Sequence, residues 1–154
     1  MKLEQLEREG LIKGLPVDKG RVKDSFELAE RDLKTATSIM DEDHDWAFSI
    51  AYNSMLQAGR ALMFSRGYRP SGDAQHVSVV KFVEASLGKE FTEVIAAFER
   101  MRRKRHLAIY DRAGAVSETD ARNAIKWAKY FLDKVKKILT GGGFIPQQKR
   151  GNAA

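Results

Sequence analysis

The stretch DKGRVKDSFELAERDLKTATSIM, residues 18–40, decides the fold class. Its apolar side chains recur at steps of 4, 3, 4, 3 and 4 residues, at Val22, Phe26, Ala29, Leu33, Ala36 and Met40. These steps follow the turns of an α-helix, so the side chains share one face. Asp18 precedes the pattern and is a residue type that caps helix N-termini. The stretch therefore predicts a long helix that packs in a bundle.

Four further helical segments follow, and no segment shows the alternation that is typical of a strand. They cover about residues 46–64, about 75–87, from about 91 into a basic run, and 121–139. The acidic cluster at 41–45, which includes His44, ends the first helix and caps the second. Gly88 ends the third helix, and Ser117–Asp120 is a variant capping box before the last. The sequence predicts an all-α fold, an up-and-down bundle of four to five helices.

The chain of 154 residues fits a single domain. Residues 1–17 are predicted to form a short N-terminal leader, whose apolar side chains cover part of the core. Residues 18–140 are predicted to form the helical bundle domain. Residues 141–154 begin with three glycines and show no periodicity, so they are predicted to be a disordered C-terminal tail.

Composition excludes several classes of protein. Without cysteine there is no disulfide framework, thiol nucleophile or cysteine-ligated zinc. The histidines, His44, His76 and His106, are scattered, so no metal site is expected, and no glycine-rich phosphate loop points to a cofactor. No apolar run approaches the roughly 18 residues of a membrane span, and the N-terminus alternates in charge. We therefore expect a cytoplasmic protein without a membrane partner.

The positive charge is concentrated in one stretch. The chain carries 27 Lys and Arg against 21 Asp and Glu, a net charge of +6. Residues 99–112 hold six basic side chains against Glu99 and Asp111, a local charge of +4. Such a patch is typical of proteins that bind a phosphate-bearing or acidic partner. A solvated helix face is the more common explanation of a charge run alone, and both interpretations remain open here.

The same stretch holds the residues that could carry chemistry. On a continuous helix Arg103, His106 and Tyr110 share a strip, and Arg102 flanks it. Guanidinium, imidazole and phenol match what RNA cleavage by the 2′-hydroxyl requires, because a cation stabilises the phosphate and an acid–base group moves the protons. The alternative is a basic surface helix with Tyr110 half-buried in the core.

Polar residues outside the basic stretch are expected to have structural roles. Asp32, Asn53 and Arg60 are expected to form a buried hydrogen-bond network or to line a dimer cleft, and His76 is expected to cap or pack a helix. The second helix carries an extra stripe, which consists of Trp46, Asn53, Gln57, Arg60 and Phe64. A monomer explains this stripe poorly, so it predicts a symmetric dimer.

Short segments along residues 5–140 resemble one known family. In chain order they are 9–13 (EGLIK), 29–33 (AERDL), 46–47 (WA), 51–58 (AYNSMLQA), 60–62 (RAL), 67–69 (GYR), His76 and 102–111 (RRKRHLAIYD). In order and spacing they resemble the HEPN domain family, small prokaryotic all-α proteins often encoded beside a minimal nucleotidyltransferase. The resemblance implies a HEPN-like bundle over residues 18–140 that homodimerises. Many members are metal-independent ribonucleases that act as toxins in toxin–antitoxin pairs.

The family's catalytic signature is an Arg, often followed by a polar residue, and a His after four to six intervening residues. Arg105 and His106 match its start, and Tyr110 stands where the catalytic His would be. Arg100 and His106 also satisfy the spacing. A phenol with a pKa near 10 is a poor general base at neutral pH.

The resemblance implies that Arg102, Arg103 and Arg105 bind RNA or a nucleotide. It assigns catalysis to Arg105, His106 and Tyr110, without cofactor or metal. The expected partners are RNA or a nucleotide, a second copy of the chain, and a nucleotidyltransferase antitoxin. The alternative is a non-catalytic helical interaction protein whose basic helix docks an acidic protein.

Overall fold

The computed structural model of the protein describes residues 2–147, and it confirms the predicted all-α bundle. Five long helices and one short one are present in these residues. They are α1 (Leu3–Arg8), α2 (Lys19–Ile39), α3 (His44–Ser65), α4 (Gln75–Leu87), α5 (Thr92–His106) and α6 (Glu118–Gly141). A 3-10 turn at Gly88–Phe91 leads into α5, and a π-helical turn at Leu107–Asp111 follows it. None of the helices within residues 2–147 has the length and apolar character needed to cross a bilayer.

The predicted caps are found at three helix starts. A side-chain oxygen of Asp18 accepts the N–H of Arg21 at 3.1 Å, and one of Asp43 accepts the N–H of Trp46 at 3.0 Å. Ser117 and Asp120 form both hydrogen bonds of a capping box at the start of α6. Each cap satisfies backbone donors that the first turn of a helix leaves free.

Helix α3 lies at the centre of the bundle, in contact with α2, α4, α5 and α6. Small buried side chains along it let its neighbours approach closely. Gly59 marks the closest approach, because a Cβ atom at this position would collide with a methyl group of Val79 on α4. Tyr52, also on α3, is fully buried and packs edge-on against Phe98 of α5, with ring centroids 5.6 Å apart.

The N-terminal segment adds a small sheet that the sequence did not predict. β1 (Ile12–Gly14) pairs with β2 (Tyr68–Pro70) in an antiparallel register that places Ile12 opposite Pro70. The segments were predicted as part of the leader and as a loop, because three residues are too few to show an alternating pattern. Leu6 and Ile12 are buried against the core, as expected for the leader.

Packing continues beyond the predicted end of the domain. Past the C-terminus of α6, the N–H of Phe144 donates to the carbonyl of Leu139 at 2.9 Å. Phe144 and Ile145 are partly buried against the core. Disorder from residue 141 onwards does not fit this packing, and residues 148–154 of the predicted tail lie outside the described residues.

Replacement of Gly59 by alanine tests the close approach of α3 and α4. In a helix this change usually stabilises, because alanine restricts the unfolded chain. Here the added methyl group must displace Val79, so we expect a loss of about 1–3 kcal/mol in the free energy of unfolding. Gly141→Ala, at an open position in α6, is the control and should be neutral or slightly stabilising. Urea unfolding measures both, and a Gly59→Ala protein as stable as the wild type would contradict the packing.

Candidate functional site

A cavity of about 600 Å³ opens between the N-terminal turn of α4 and the C-terminal half of α5. It is lined by Asp73, Ala74, Gln75, His76, Val77, Arg102, Arg103, Arg105 and His106. Three arginines against a single carboxylate make the lining strongly positive. The loop after β2 contributes one side, and the basic run of α5 contributes the other.

Four of the five residues predicted for the site lie together in this cavity. Arg102, Arg103, Arg105 and His106 fall within five positions of one helix, where neighbours three and four residues apart share a face. Arg102 also pairs with Glu99 on the same helix, with nitrogen and oxygen 3.6 Å apart. The cluster therefore follows from local helix geometry.

Tyr110 is the predicted residue that does not line the cavity. Helix α5 ends at His106, and the next turn is π-helical, closed by a 3.0 Å hydrogen bond from the N–H of Arg112 to the carbonyl of Leu107. Tyr110 is 67% exposed, so the alternative interpretation, in which it is half-buried in the core, is wrong. Its ring lies beside that of His106, with centroids 5.0 Å apart and the ring planes tilted by 45°.

Two residues that the sequence did not predict for the site are His76, which lines the cavity, and Tyr52, which is buried behind it. His76 is the second residue of α4 and makes no capping hydrogen bond within the described chain. Its Nδ1 lies 3.5 Å from the hydroxyl oxygen of Tyr52, and the Cζ of Arg105 lies 5.5 Å from the centre of the Tyr52 ring. Tyr52 thus connects the α4 wall of the cavity to the α5 wall.

Burial and positive charge set the protonation states of these groups. Burial lowers the pKa of His76, and the charges of Arg105, Arg60 and Arg102 lower it further. Burial raises the pKa of Tyr52 to about 12, although Arg105 and Arg102 oppose the shift. At neutral pH the imidazole of His76 is therefore neutral and the phenol of Tyr52 keeps its proton.

The arginines of the cavity have hydrogen-bonding capacity left over. The Nε atoms of Arg102 and Arg105 are buried and have no hydrogen-bond partner among residues 2–147. Buried donors in proteins are nearly always paired, so an unpaired one needs an explanation. Guanidinium groups pair readily with phosphate and carboxylate oxygens, and the cavity is therefore suited to an anionic ligand.

The three polar residues that were expected to form a network within the bundle do not all take part in it. Asn53 Nδ2 donates to Asp32 Oδ2 at 2.8 Å, and the guanidinium of Arg31 pairs with Asp32 Oδ1 at 2.9 Å. Asp32 and Asn53 thus form the expected buried network. Arg60 makes no hydrogen bond with them, and its charge acts on His76 instead. Within residues 2–147, no group of three or more His, Asp or Glu side chains is placed to hold a metal ion.

The fold and its cavity can now be compared with known proteins. The family model described as "HEPN domain" matches residues 22–138, so the chain belongs to the HEPN domain family. Two solved structures share the fold, each with 18% identity and a TM-score of 0.60. TT1696 from Thermus thermophilus matches over 76% of this chain and 97% of its own, and ST0689, described as an archaeal HEPN homologue, over 77% and 97%. No curated protein matches the sequence.

The protonation of His76 can be followed by NMR titration of the histidine rings. We expect His76 to titrate below 6.5, and Arg105→Ala should move its pKa upward because one positive neighbour is lost. As the pH falls below 6.5, the unfolded chain gains this proton before the folded one, so His76 makes the free energy of unfolding decrease towards acid pH. Lys137→Ala, on the exposed side of α6, is the control. An unshifted His76, or equal effects of the two replacements, would contradict the described surroundings.

Proposed function

We propose that the protein is a HEPN-type RNA- or nucleotide-binding protein and that the basic cavity between α4 and α5 binds phosphate groups of the ligand. The observation that carries the proposal is the pair Arg102 and Arg105, whose buried Nε donors lack partners within residues 2–147. A phosphate carries several acceptor oxygens and can pair with both guanidinium groups. Arg103 adds a third positive charge to the cavity lining.

The shape of the site favours a small anionic group over an acidic protein surface. A cavity of about 600 Å³ lies within the range of pockets that enclose small ligands or parts of larger ones. Protein partners of basic helices typically contact an exposed face over a wide area. Here the arginines face a recess, so the alternative of a basic helix that docks an acidic protein is the weaker one.

The cavity also holds groups suited to metal-independent RNA cleavage. In that reaction a base removes the proton of the 2′-hydroxyl, the oxygen attacks the adjacent phosphorus, and the 5′-oxygen leaves with a proton. We assign the phosphate contact to Arg105 and the proton transfer to His106, which lines the cavity beside it. Tyr110 contacts the ring of His106 from outside the cavity and can orient it.

The biological role that we propose follows from the family. A HEPN protein of this kind would be the toxin-like member of a pair whose second member is a nucleotidyltransferase. No contact among residues 2–147 bears on that pairing. A small nucleotidyltransferase encoded in an adjacent reading frame, and its co-purification with this protein, would support it, whereas its absence from the operon would count against it.

Binding is tested with single-stranded RNA at several salt concentrations. Arg102→Ala with Arg105→Ala should weaken binding and also flatten the salt dependence, because each lost phosphate contact lowers the slope by roughly 0.7. Lys34→Ala with Lys137→Ala removes the same charge from exposed positions on α2 and α6 and is the matched control. Equal losses from both pairs would mean that net charge alone attracts the RNA.

Cleavage is tested with the same RNA in the presence of a chelator. His106→Ala should lower the cleavage rate by about 10²- to 10⁴-fold, the usual contribution of general acid–base catalysis. Residue 110 lies outside the cavity, beside His106, so Tyr110→His should change the rate far less than His106→Ala does. If neither the wild type nor Tyr110→His cleaves RNA, the protein binds without cleaving.

We further propose that two copies pair through the second stripe of α3. Trp46 is 55% exposed, and Leu28 on α2, beside this stripe, is 37% exposed. Gln75 lines the cavity and also a neighbouring recess that Gln57, Arg60 and Phe64 of the stripe line, so the stripe lies next to the cavity. Light scattering should give twice the chain mass at micromolar concentration. Leu28→Glu should shift the mass to the monomer and Lys137→Glu should not, and a monomeric wild type would contradict the pairing.

A further inference from the structure

A second, smaller recess lies across α5 from the basic cavity. This groove, between α5 and α6, has a volume of about 250 Å³. Its floor is apolar and includes Phe48 and Met101, both buried. The half-buried indole of Trp127 forms one wall, and Arg100 and Lys104 lie at the rim.

The rim of this groove carries uncompensated positive charge. Lys104 Nζ lies 3.3 Å from Asp120 Oδ2, so these two charges offset each other. Arg100 is exposed and forms no ion pair or side-chain hydrogen bond with residues 2–147. An anionic group seated over the groove would therefore meet a free guanidinium.

Aromatic rings and a lysine continue the surface along α6. Tyr130 is 42% exposed and lies edge-on to Trp127, with ring centroids 6.0 Å apart. The Nζ of Lys134 lies 5.4 Å from the centre of the Tyr130 ring. Exposed aromatic faces among basic side chains are typical of surfaces that bind single-stranded nucleic acid, because every base can stack and every phosphate is negative.

We infer that the α5–α6 groove is a second subsite for single-stranded RNA, in which a base stacks on Trp127 and Arg100 contacts the neighbouring phosphate. Asn123 lies at the same rim, and its amide offers both a donor and an acceptor to the edge of a base. The inference rests on the proposed RNA-binding function and extends it beyond the cavity.

The occupant follows from size and charge. The groove holds about 250 Å³, enough for a planar ring but shallow for a packed helix of another protein. A second copy of the chain carries the same net charge of +6 and would bring positive charge towards Arg100. A polyanion with aromatic bases matches both the rim and the wall.

The two sites are close enough for one strand. On an α-helix, Arg100 and Lys104 face away from Arg102 and Arg105, and an α-helix with its side chains is about 10 Å across. An extended strand of a few nucleotides that passes over the exposed C-terminal end of α5 can reach both faces. A mononucleotide occupies only one of them.

The experiment compares a single-stranded RNA with an abasic strand of the same length. Fluorescence anisotropy of labelled strands measures total binding, and tryptophan fluorescence reports on Trp127. The base-bearing RNA should quench tryptophan fluorescence in the wild type, and the abasic strand should bind more weakly without quenching. Trp127→Leu should abolish the base-dependent quenching, although Trp46 remains in the chain. The same replacement should weaken RNA binding by about 5- to 150-fold, the range that corresponds to one lost stacked base.

Variants at exposed positions separate this subsite from the cavity and from a folding defect. Arg100→Ala cannot disturb the core and should weaken binding of both strands, whereas the matched control Lys137→Ala should not. Unchanged RNA affinity in Trp127→Leu and Arg100→Ala would overturn the inference while the cavity proposal stands. If these two variants lose RNA binding whereas Arg102→Ala and Arg105→Ala keep it, the result supports the groove as an RNA subsite and refutes the cavity proposal. A wild-type protein that binds neither strand would refute both the groove and the cavity proposals. If Trp127→Leu dissociates an oligomer without any change in RNA binding, the groove is a contact between copies and the inference is overturned.

Discussion

The close packing of four helices around α3 is the constraint on which the candidate site depends. Gly59 lets α4 approach α3 until Val79 fills the space of the missing side chain, and this approach fixes the N-terminal turn of α4 that carries His76. Two turns before Gly59 on the same face of α3, the buried ring of Tyr52 packs against Phe98 of α5 and sets the position of that helix. Both walls of the cavity are thus placed by one central helix, and a change in its packing moves His76 and Arg105 relative to each other.

The electrostatics of the cavity oppose the fold and favour a ligand. Burial lowers the pKa of His76, and the charges of Arg105, Arg60 and Arg102 lower it further, so the imidazole stays neutral among these like charges. The ring of Tyr52 lies under the guanidinium of Arg105, a cation–π contact worth about 0.5–2 kcal/mol, and it offsets part of the cost. The Nε donors of Arg102 and Arg105 still lack a hydrogen-bond partner within residues 2–147. A bound phosphate would accept hydrogen bonds from these donors, and its negative charge would reduce the repulsion among the arginines. We therefore regard the cavity as a binding site rather than as a solvated helix face.

Local patterns in the sequence predicted most of the fold and the α5 side of the site. The periodic apolar residues of α2 and α6 and the caps at Asp18 and Ser117 act within a few residues, so the sequence shows them directly. The four residues Arg102, Arg103, Arg105 and His106 were placed together for the same reason, since one helix holds them all. The contact between Tyr52 and His76 joins positions 24 residues apart, and no local pattern signals it. The π-helical turn that contains Tyr110 has no recognisable sequence signal, and the prediction assumed a continuous α-helix through this residue.

The run of cations on α5 has a geometric consequence for any nucleic acid that it binds. With 3.6 residues per turn, four successive basic residues cover the whole circumference of a helix, so Arg102 to Arg105 cannot all face one ligand site. In this protein the basic side chains on one face of α5 line the recessed cavity, and those on the opposite face line the α5–α6 groove with its aromatic wall. A compact nucleotide can use only the charges of one face. A ligand that engages the full basic run has to wrap around the end of α5, and a flexible single strand can do this whereas a stiff duplex cannot.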